Sequence, residues 1–342
     1  MKGTNVKRCA ALAALVGAVL VARPAAAADG SQLLAAVRNP LLTKTVYASP
    51  DRIVTAVGSD GAISINRRWE RGRSGEWYIE EQRYGGDLVT AGVATDDDGM
   101  IHDGLRAIDW GFSKQARDGS FPGTGDPFHS SSLFVESAAR AILLLKAADP
   151  DRYAYEIATD TPKVVAAARW LNRPAVARAG QRHNHLYTHR RWILAAALAE
   201  SAALSGDGSL AAAAQDYAED GIRCQQPDGT DPERGGFDIS YQALGLDYAA
   251  KYFFVCDDPT LRRRVARVIT KGLAWERSQF GPDGRLTVLG STRTGVEKSR
   301  SGKVKTLDYK AVIEAFTFGS IITGDPTDRL AAVAAAAAKG WT

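Results

Sequence analysis

From residue 96 onward, apolar residues recur at steps of three and four, the spacing that lines one face of a helix. The pattern predicts helices over 105–115, 132–146, 162–171, 186–203, 210–224, 240–255, 260–278, 307–322 and 327–339. Almost nothing there alternates as a strand does, so the fold class is all-α. Helical segments end near Gln115, Gln225 and Gln279, and each is followed by a turn pair: Asp118-Gly119, Asp228-Gly229 or Asp283-Gly284. The pairs lie 110 and 55 residues apart, and a further break near 173 falls at Asn172-Arg173-Pro174. An interval of 55 suits one hairpin of two helices with its connections. Several such hairpins, apolar around much of each helix, predict inner helices enclosed by outer ones, an α/α toroid built as an incomplete barrel. An open α-solenoid uses the same hairpins without closing. Closure gathers the inner-helix N-termini around one cavity.

The remainder of the chain divides in two. Residues 1–28 predict an export signal. Lys2, Lys7 and Arg8 precede an apolar run over 10–22, and Ala25-Ala26-Ala27-Ala28 supplies small residues for cleavage. The run is too short to span a bilayer. The signal carries four of the 43 lysines and arginines and none of the 39 carboxylates, so the mature chain is formally neutral. Bulk charge therefore gives no support for nucleic-acid binding. The expectation is a secreted or periplasmic monomer with no membrane attachment after cleavage.

Residues 29–95 read as an irregular N-terminal segment, with a short helical pattern over 31–42 that stops around Pro40. Ile63-Ser64-Ile65 and Trp77-Tyr78-Ile79 look like short extended pieces of a surface loop or a lid. Residues 96–342 form the catalytic domain. Cys224 and Cys256 are either a disulfide, which an exported chain can keep, or two separate buried thiols.

Two polar stretches precede apolar helices: Arg182-His183-Asn184-His185-Leu186-Tyr187 and Glu233-Arg234-Gly235-Gly236-Phe237-Asp238-Ile239-Ser240-Tyr241-Gln242. Helix N-termini carry unpaired N–H groups and partial positive charge, so both starts suit an anionic ligand. His183, His185 and His189 are spaced as metal ligands can be, but no adjacent carboxylate completes the set. No metal or other cofactor is expected, and His189 reads as a packed or surface residue. Among the carboxylates, Asp118 and Asp228 fit ordinary turn positions.

Asn184-His185-Leu186-Tyr187, followed by Arg234 and then Tyr241 seven residues later, resembles the alginate lyases of the α/α-toroid kind. The resemblance covers roughly 96–324. Thr188 departs from it where that family commonly has an aromatic, and the basic cluster around its Arg is reduced to Glu233-Arg234-Gly235. It implies elimination on an acidic, uronate-containing polysaccharide, with Tyr241, His185, Asn184 and Arg234 as the catalytic group. The chemistry asks for the same residue types. Removing the C5 proton beside a carboxylate builds negative charge that Asn184, His185 and Arg234 would neutralise, while Tyr241 moves the protons. Tyr187, Gln242, Phe121 and His129 are the candidate substrate-binding residues. A glycoside hydrolase on the same toroid, with Asp118, Glu136 or Asp238 as its acid, is the competing enzyme, and a non-catalytic glycan-binding protein is the third reading.

Overall fold

Each of the nine predicted segments is helical, and the helices pair as hairpins. A computed structural model describes residues 29–300 and 302–341. The export signal over 1–28 lies outside the described residues. Among the described residues the helices are α1 (Ser31–Val37), α2 (Pro40–Lys44), α3 (Ile65–Glu70), α4 (Arg83–Thr95), α5 (Asp98–Ser113), α6 (Pro127–Ala148) and α7 (Ala154–Leu171). They continue with α8 (Pro174–Asn184), α9 (Thr188–Ser205), α10 (Gly208–Cys224), α11 (Ile239–Val255), α12 (Pro259–Arg277), α13 (Tyr309–Thr323) and α14 (Pro326–Lys339). Strand pairing among these residues is limited to isolated bridges.

The inner layer runs α4, α6, α9, α11, α13, each packed on the next. The outer layer is α5, α7, α10, α12 and α14, each paired with the inner helix before it. Inner helices are buried on nearly every side; every residue of α6 from Phe128 to Leu145 is buried, the charged Glu136 and Arg140 among them. Outer helices bury one stripe, as α12 does with Leu261, Val265, Val268, Ile269 and Leu273. At the seam between α13 and α4, helix α2 packs on both, and Lys310 meets Asp87 at 3.3 Å. The barrel is therefore an α/α toroid with an incomplete seam.

The Asp-Gly turns are one device used four times. At Asp60, Asp118, Asp228 and Asp283 the side chain accepts the amide two residues on. The next residue is a glycine at φ +90, +90, +99 and +73°. In the first three, a Cβ on that glycine would come within 2.1 to 2.3 Å of a carbonyl oxygen on an outer helix, Arg106, Ala166 or Lys271. Only glycine allows the loop to lie that close.

The fourth copy, Asp60-Gly61, sits inside the segment expected to be irregular, and it leads to α4. The expected boundary at 95 is thus corrected: α4 is an inner helix of the ring. Gly85, Gly86 and Gly92 disguise it, since glycine is a poor helix former. Packing requires all three, Gly92 because a Cβ there would lie 2.7 Å from Asp97 O and 2.9 Å from Ile101 N. A Cβ on Gly85 would strike α5 at Gly104 O, and one on Gly86 would strike α6 at Ser137 O. The expected extended pieces are corrected as well. Ile63 makes one bridge to Val57 before α3 begins, and Ile79 opens a short 3-10 turn, Ile79–Gln82. Trp69 and Trp77 stack with Trp110 of α5, which fixes this segment as wall. Near 173 no fifth loop forms; Pro174 starts the unforeseen α8. Cys224 and Cys256 are unpaired, so the disulfide alternative is excluded. None of the described helices is long and apolar enough to cross a membrane.

Candidate active site

The two polar stretches meet through their backbones. Tyr187 bridges Glu233, the Arg234 amide donates to Leu186 O at 2.8 Å, and the Thr188 amide donates to Pro232 O. This contact brings the starts of α9 and α11 together. Asp126 before α6 reaches Arg190 of α9, and the Asp308 amide before α13 donates to Ser240 of α11. Four inner-helix N-termini therefore surround one mouth.

At its centre the His189 and Tyr241 rings lie 4.6 Å apart. Asp238 caps α11 and accepts four hydrogen bonds, from the amides of Tyr241, Arg293 and Thr294 and from the Thr294 hydroxyl. That carboxylate ties the loop before α13 to α11 and sets the Arg293 guanidinium 3.8 Å from the centre of the Tyr241 ring. Lys305 Nζ donates to the Tyr241 hydroxyl at 3.1 Å and to Glu297 at 2.6 Å. Two cations thus flank this phenol.

Glu233 links the group. One carboxylate oxygen accepts from Arg293 at 2.7 Å, and the other meets His189 Nδ1 at 2.8 Å. A carboxylate only accepts, so Nδ1 carries the proton and Nε2 keeps its lone pair. Burial, working against Glu233, lowers the pKa of His189 and keeps the ring neutral. Burial, with Arg190 adding to it, holds His129 well below the ordinary imidazole range. Glu297 is held down to about 2: burial opposes this, but hydrogen bonds from Lys305 and Arg293 outweigh it.

Several buried N–H donors on this rim lack a protein partner. Asn184 gives its oxygen to Arg190 at 2.7 Å, which leaves its Nδ2 free, and Arg190 Nε and His129 Nδ1 are likewise unpaired. Leaving such groups unsatisfied costs free energy, so in the folded protein they meet an acceptor, either water or a bound ligand. The Arg190 guanidinium lies 4.4 Å from the Tyr187 ring, with Arg293 at 5.1 Å from the same ring. A cavity of about 700 Å³ opens beside His129, His189 and Tyr241. Asn184 and Arg190 line a second one of about 470 Å³ with His185 and Arg191.

Of the residues expected from sequence, Tyr241, Asn184, Tyr187 and His129 belong to this rim. Four do not. His185 is the exposed C-cap of α8, its ring bonded to Arg182 O at 2.7 Å, because consecutive helical residues point about 100° apart and Asn184 takes the inward direction. Arg234 occupies the first of two left-handed positions in the tight turn 233–236, at φ +51°, which points it outward to Glu297. Gln242 is buried and bonded to Gly229 O and the Asp231 amide, where it braces the Asp228-Gly229 loop. Phe121 is a core residue stacked edge-on against Phe134. His189, not His185, faces Tyr241, and Arg293 replaces Arg234. Glu233, Lys305 and Arg190 complete the set that the sequence reading missed. One signal pointed there: His129, Tyr241 and Arg293 each follow an Asp-Gly loop by 10 to 13 residues.

The hydrolase carboxylates are placed otherwise too. Asp118 is an exposed turn residue paired with Arg173, Glu136 is buried against Arg140, and Asp238 is saturated by its four donors. Among the described residues no group of His, Cys, Asp and Glu is arranged to hold a metal ion.

No family model matches the chain, and no curated protein sequence matches it. Solved structures of the chondroitin AC lyase of Streptomyces coelicolor A3 are similar to it, one a mutant and one in complex with chondroitin sulphate. Their TM-scores are 0.54 and 0.53 at 14% identity, over 90% and 86% of this chain. The chain spans 44% and 40% of their lengths, less than half in each case. The chain thus has the helical fold of a polysaccharide lyase, and the alginate-lyase subtype finds no counterpart in these two.

Proposed function

We propose that the protein is an exported polysaccharide lyase that cleaves an acidic, uronate-containing glycan by β-elimination. The observation that carries this reading is the Tyr241 hydroxyl, held against neutral His189 and flanked by Arg293 and Lys305, on a rim of unpaired N–H donors. The likeness in fold to a lyase solved with chondroitin sulphate supports an acidic polysaccharide as substrate.

In this reading Asn184 Nδ2 and the Arg190 guanidinium receive the uronate carboxylate and stabilise the charge that builds there in the transition state. The C5 proton passes to the Tyr241 oxygen, whose negative charge before the transfer is balanced by Arg293 and Lys305. The C5–H electron pair forms the C4=C5 double bond. The C4–O bond breaks, its pair leaves with the oxygen, and that oxygen takes a proton back from Tyr241. Protons and electrons balance without a co-reactant. His189 Nε2 is a second proton acceptor for a uronate whose C5–H faces the other way.

Tyr241→Phe tests the reading. Positioned proton transfer contributes about 10²–10⁴-fold, so formation of the ultraviolet-absorbing unsaturated product should fall by that factor in a folded variant. A wild-type rate in the variant removes Tyr241 from the mechanism. New reducing ends without absorbance would mean hydrolysis, and binding without any product would mean a glycan-binding protein.

A further inference from the structure

The chain between α12 and α13 does more than deliver Arg293. Residues 295–300 and 302–305 fold back on each other as a small hairpin: Gly295 N donates to Lys305 O, Lys305 N to Glu297 O, Ser299 N to Lys303 O, and Lys298 bridges Val304. Its base lies against Tyr241 through Lys305. Its far end crosses to the opposite rim, where Arg300 pairs with Glu80 and with Glu81 at 3.5 Å, and covers the Tyr78 ring at 3.6 Å. Glu80 is itself fixed there by the Ser130 hydroxyl of α6, at 2.9 Å. The hairpin thus rises beside α11 and is latched beside α4 and α6, and the mouth lies between.

Beneath it is the cavity of about 700 Å³, lined by Ser299, Lys303 and Lys305 above and by His129, His189 and Tyr241 at its edge. Its far wall is formed at the seam by 51–53 and Trp341. That volume falls within the range of pockets that enclose a small ligand. An internal stretch of a long polymer lies most freely in a trench open above and at both ends, and here the hairpin crosses over the cavity while 51–53 and Trp341 stand at one end. The wall also carries a charge signal. Arg52, Lys303 and Lys339 line the cavity without a salt bridge among the described residues; Arg52 also donates to the Lys44 and Thr45 carbonyl oxygens, and Asp51 and Asp308 share the lining. Arg52 lies 5.6 Å and Lys339 5.7 Å from the Trp341 ring, so cations and an aromatic face stand together where a terminal sugar would stop. On the other side of Tyr187, the cavity shared by Asn184, Arg190 and Arg191 leaves room for the remainder of the chain.

We infer that the site is end-acting. It admits the terminus of an acidic oligosaccharide beneath this hairpin, with Arg52, Lys303 and Lys339 receiving the terminal anionic groups, and releases short products one cut at a time. This rests on the lyase reading, since the bond cut is the one opened by β-elimination.

The test follows viscosity and ultraviolet absorbance together on sodium alginate and on chondroitin sulphate, with size-fractionated oligosaccharides of each in parallel. The full chain should raise absorbance while viscosity stays nearly flat, and should turn over short oligosaccharides faster than polymer. Arg300→Ala unlatches the hairpin without touching the reacting groups. It should keep the oligosaccharide rate within about threefold and bring the loss of viscosity forward. If wild-type protein halves the viscosity while only a small fraction of the final absorbance has formed, cleavage is internal and the end-acting inference is overturned, whether or not the variant folds. Absorbance from neither polymers nor oligosaccharides overturns the lyase reading itself, and the inference with it.

Discussion

The mouth and the middle of this ring are both crowded with charge, yet they treat it in opposite ways. In the middle, Arg140 donates to Glu136 at 2.8 Å, to Asp87 at 2.9 Å and to Thr90. Lys251 meets Asp247 at 2.7 Å, Lys310 meets Glu314 at 2.9 Å, and the Tyr47 hydroxyl closes on Glu314. Every buried cation there has a carboxylate. The charged groups with atoms left unpaired there are acids, both oxygens of Glu200 and one of Asp247. At the mouth the unpaired atoms include N–H donors on Asn184 and Arg190, beside an unpaired ring nitrogen of His129. Burial can protonate a lone carboxyl and so remove its charge, whereas an unpaired donor keeps its need for an acceptor. The middle thus balances its charge within the fold, whereas the mouth keeps donors turned toward whatever acceptor enters it.

The largest effects should separate the two regions. Arg140→Met leaves Glu136 without its buried cation and Asp87 with Lys310 as its remaining ion-pair partner, and breaking such a buried pair costs about 3–5 kcal/mol. Thermal or urea unfolding should register the whole loss, and the product formed per folded molecule should change little. Tyr241→Phe should do the reverse: it removes one hydrogen-bond partner of Lys305, worth about 1 kcal/mol of stability, and nearly all activity. Should Arg140→Met abolish turnover in protein that is still folded, the division between scaffold and site is wrong.

A smaller effect comes from pH. The Glu200 pKa is raised well above its ordinary value, chiefly by burial and then by Glu136. The folded state therefore holds a proton that the unfolded chain releases. Its contribution is fully present below the unfolded carboxyl pKa and is lost as pH rises toward the folded one, at about 1.4 kcal/mol for each unit crossed. His189 and His129 behave oppositely. Their folded pKa values are lowered, so their contribution is present above the unfolded imidazole pKa and is lost as pH falls below it. Glu200→Gln should match wild type near pH 4 and melt higher at pH 8. Equal melting temperatures at pH 8 would place the alkaline slope elsewhere. Activity should fall on the acid side as His189 takes its second proton, in wild type and Glu200→Gln alike.

The scaffold was more legible in the sequence than the site, for a physical reason. Helix periodicity and the Asp-Gly loops are local, so nine segments and three of the four loops could be read directly. Helix α4 escaped because its glycines serve contacts with α5 and α6 that no local pattern reveals. The site depends on direction and on partners brought from far along the chain. Asn184 and Tyr241 were legible because they sit in the two polar stretches. Arg293 and Lys305 arrive from beyond α12, placed by Asp238, which alone in sequence reads as one more acidic residue before a helix. Glu233 stands in the same polar stretch as Arg234 and nothing local marks it, although its carboxylate is what joins His189 to Arg293.

The smallest predicted effects belong to the two residues that the motif favoured and the fold turns away. His185→Ala removes an exposed ring whose visible partner is the Arg182 carbonyl, and exposed substitutions of this kind stay within about 0.5 kcal/mol. Arg234→Gly removes the guanidinium at a position where φ is +51°, a conformation glycine adopts without penalty, so the turn that presents Glu233 survives. Both variants should retain turnover within about twofold, which is under 0.5 kcal/mol of barrier. His189→Ala and Arg293→Ala should each lose far more. The pairs differ in direction rather than chemistry: histidine against histidine, arginine against arginine. A severe loss in His185→Ala beside a mild one in His189→Ala would mean that substrate meets the outer face of α8 and that the mouth between α6, α9 and α11 is not where the bond breaks.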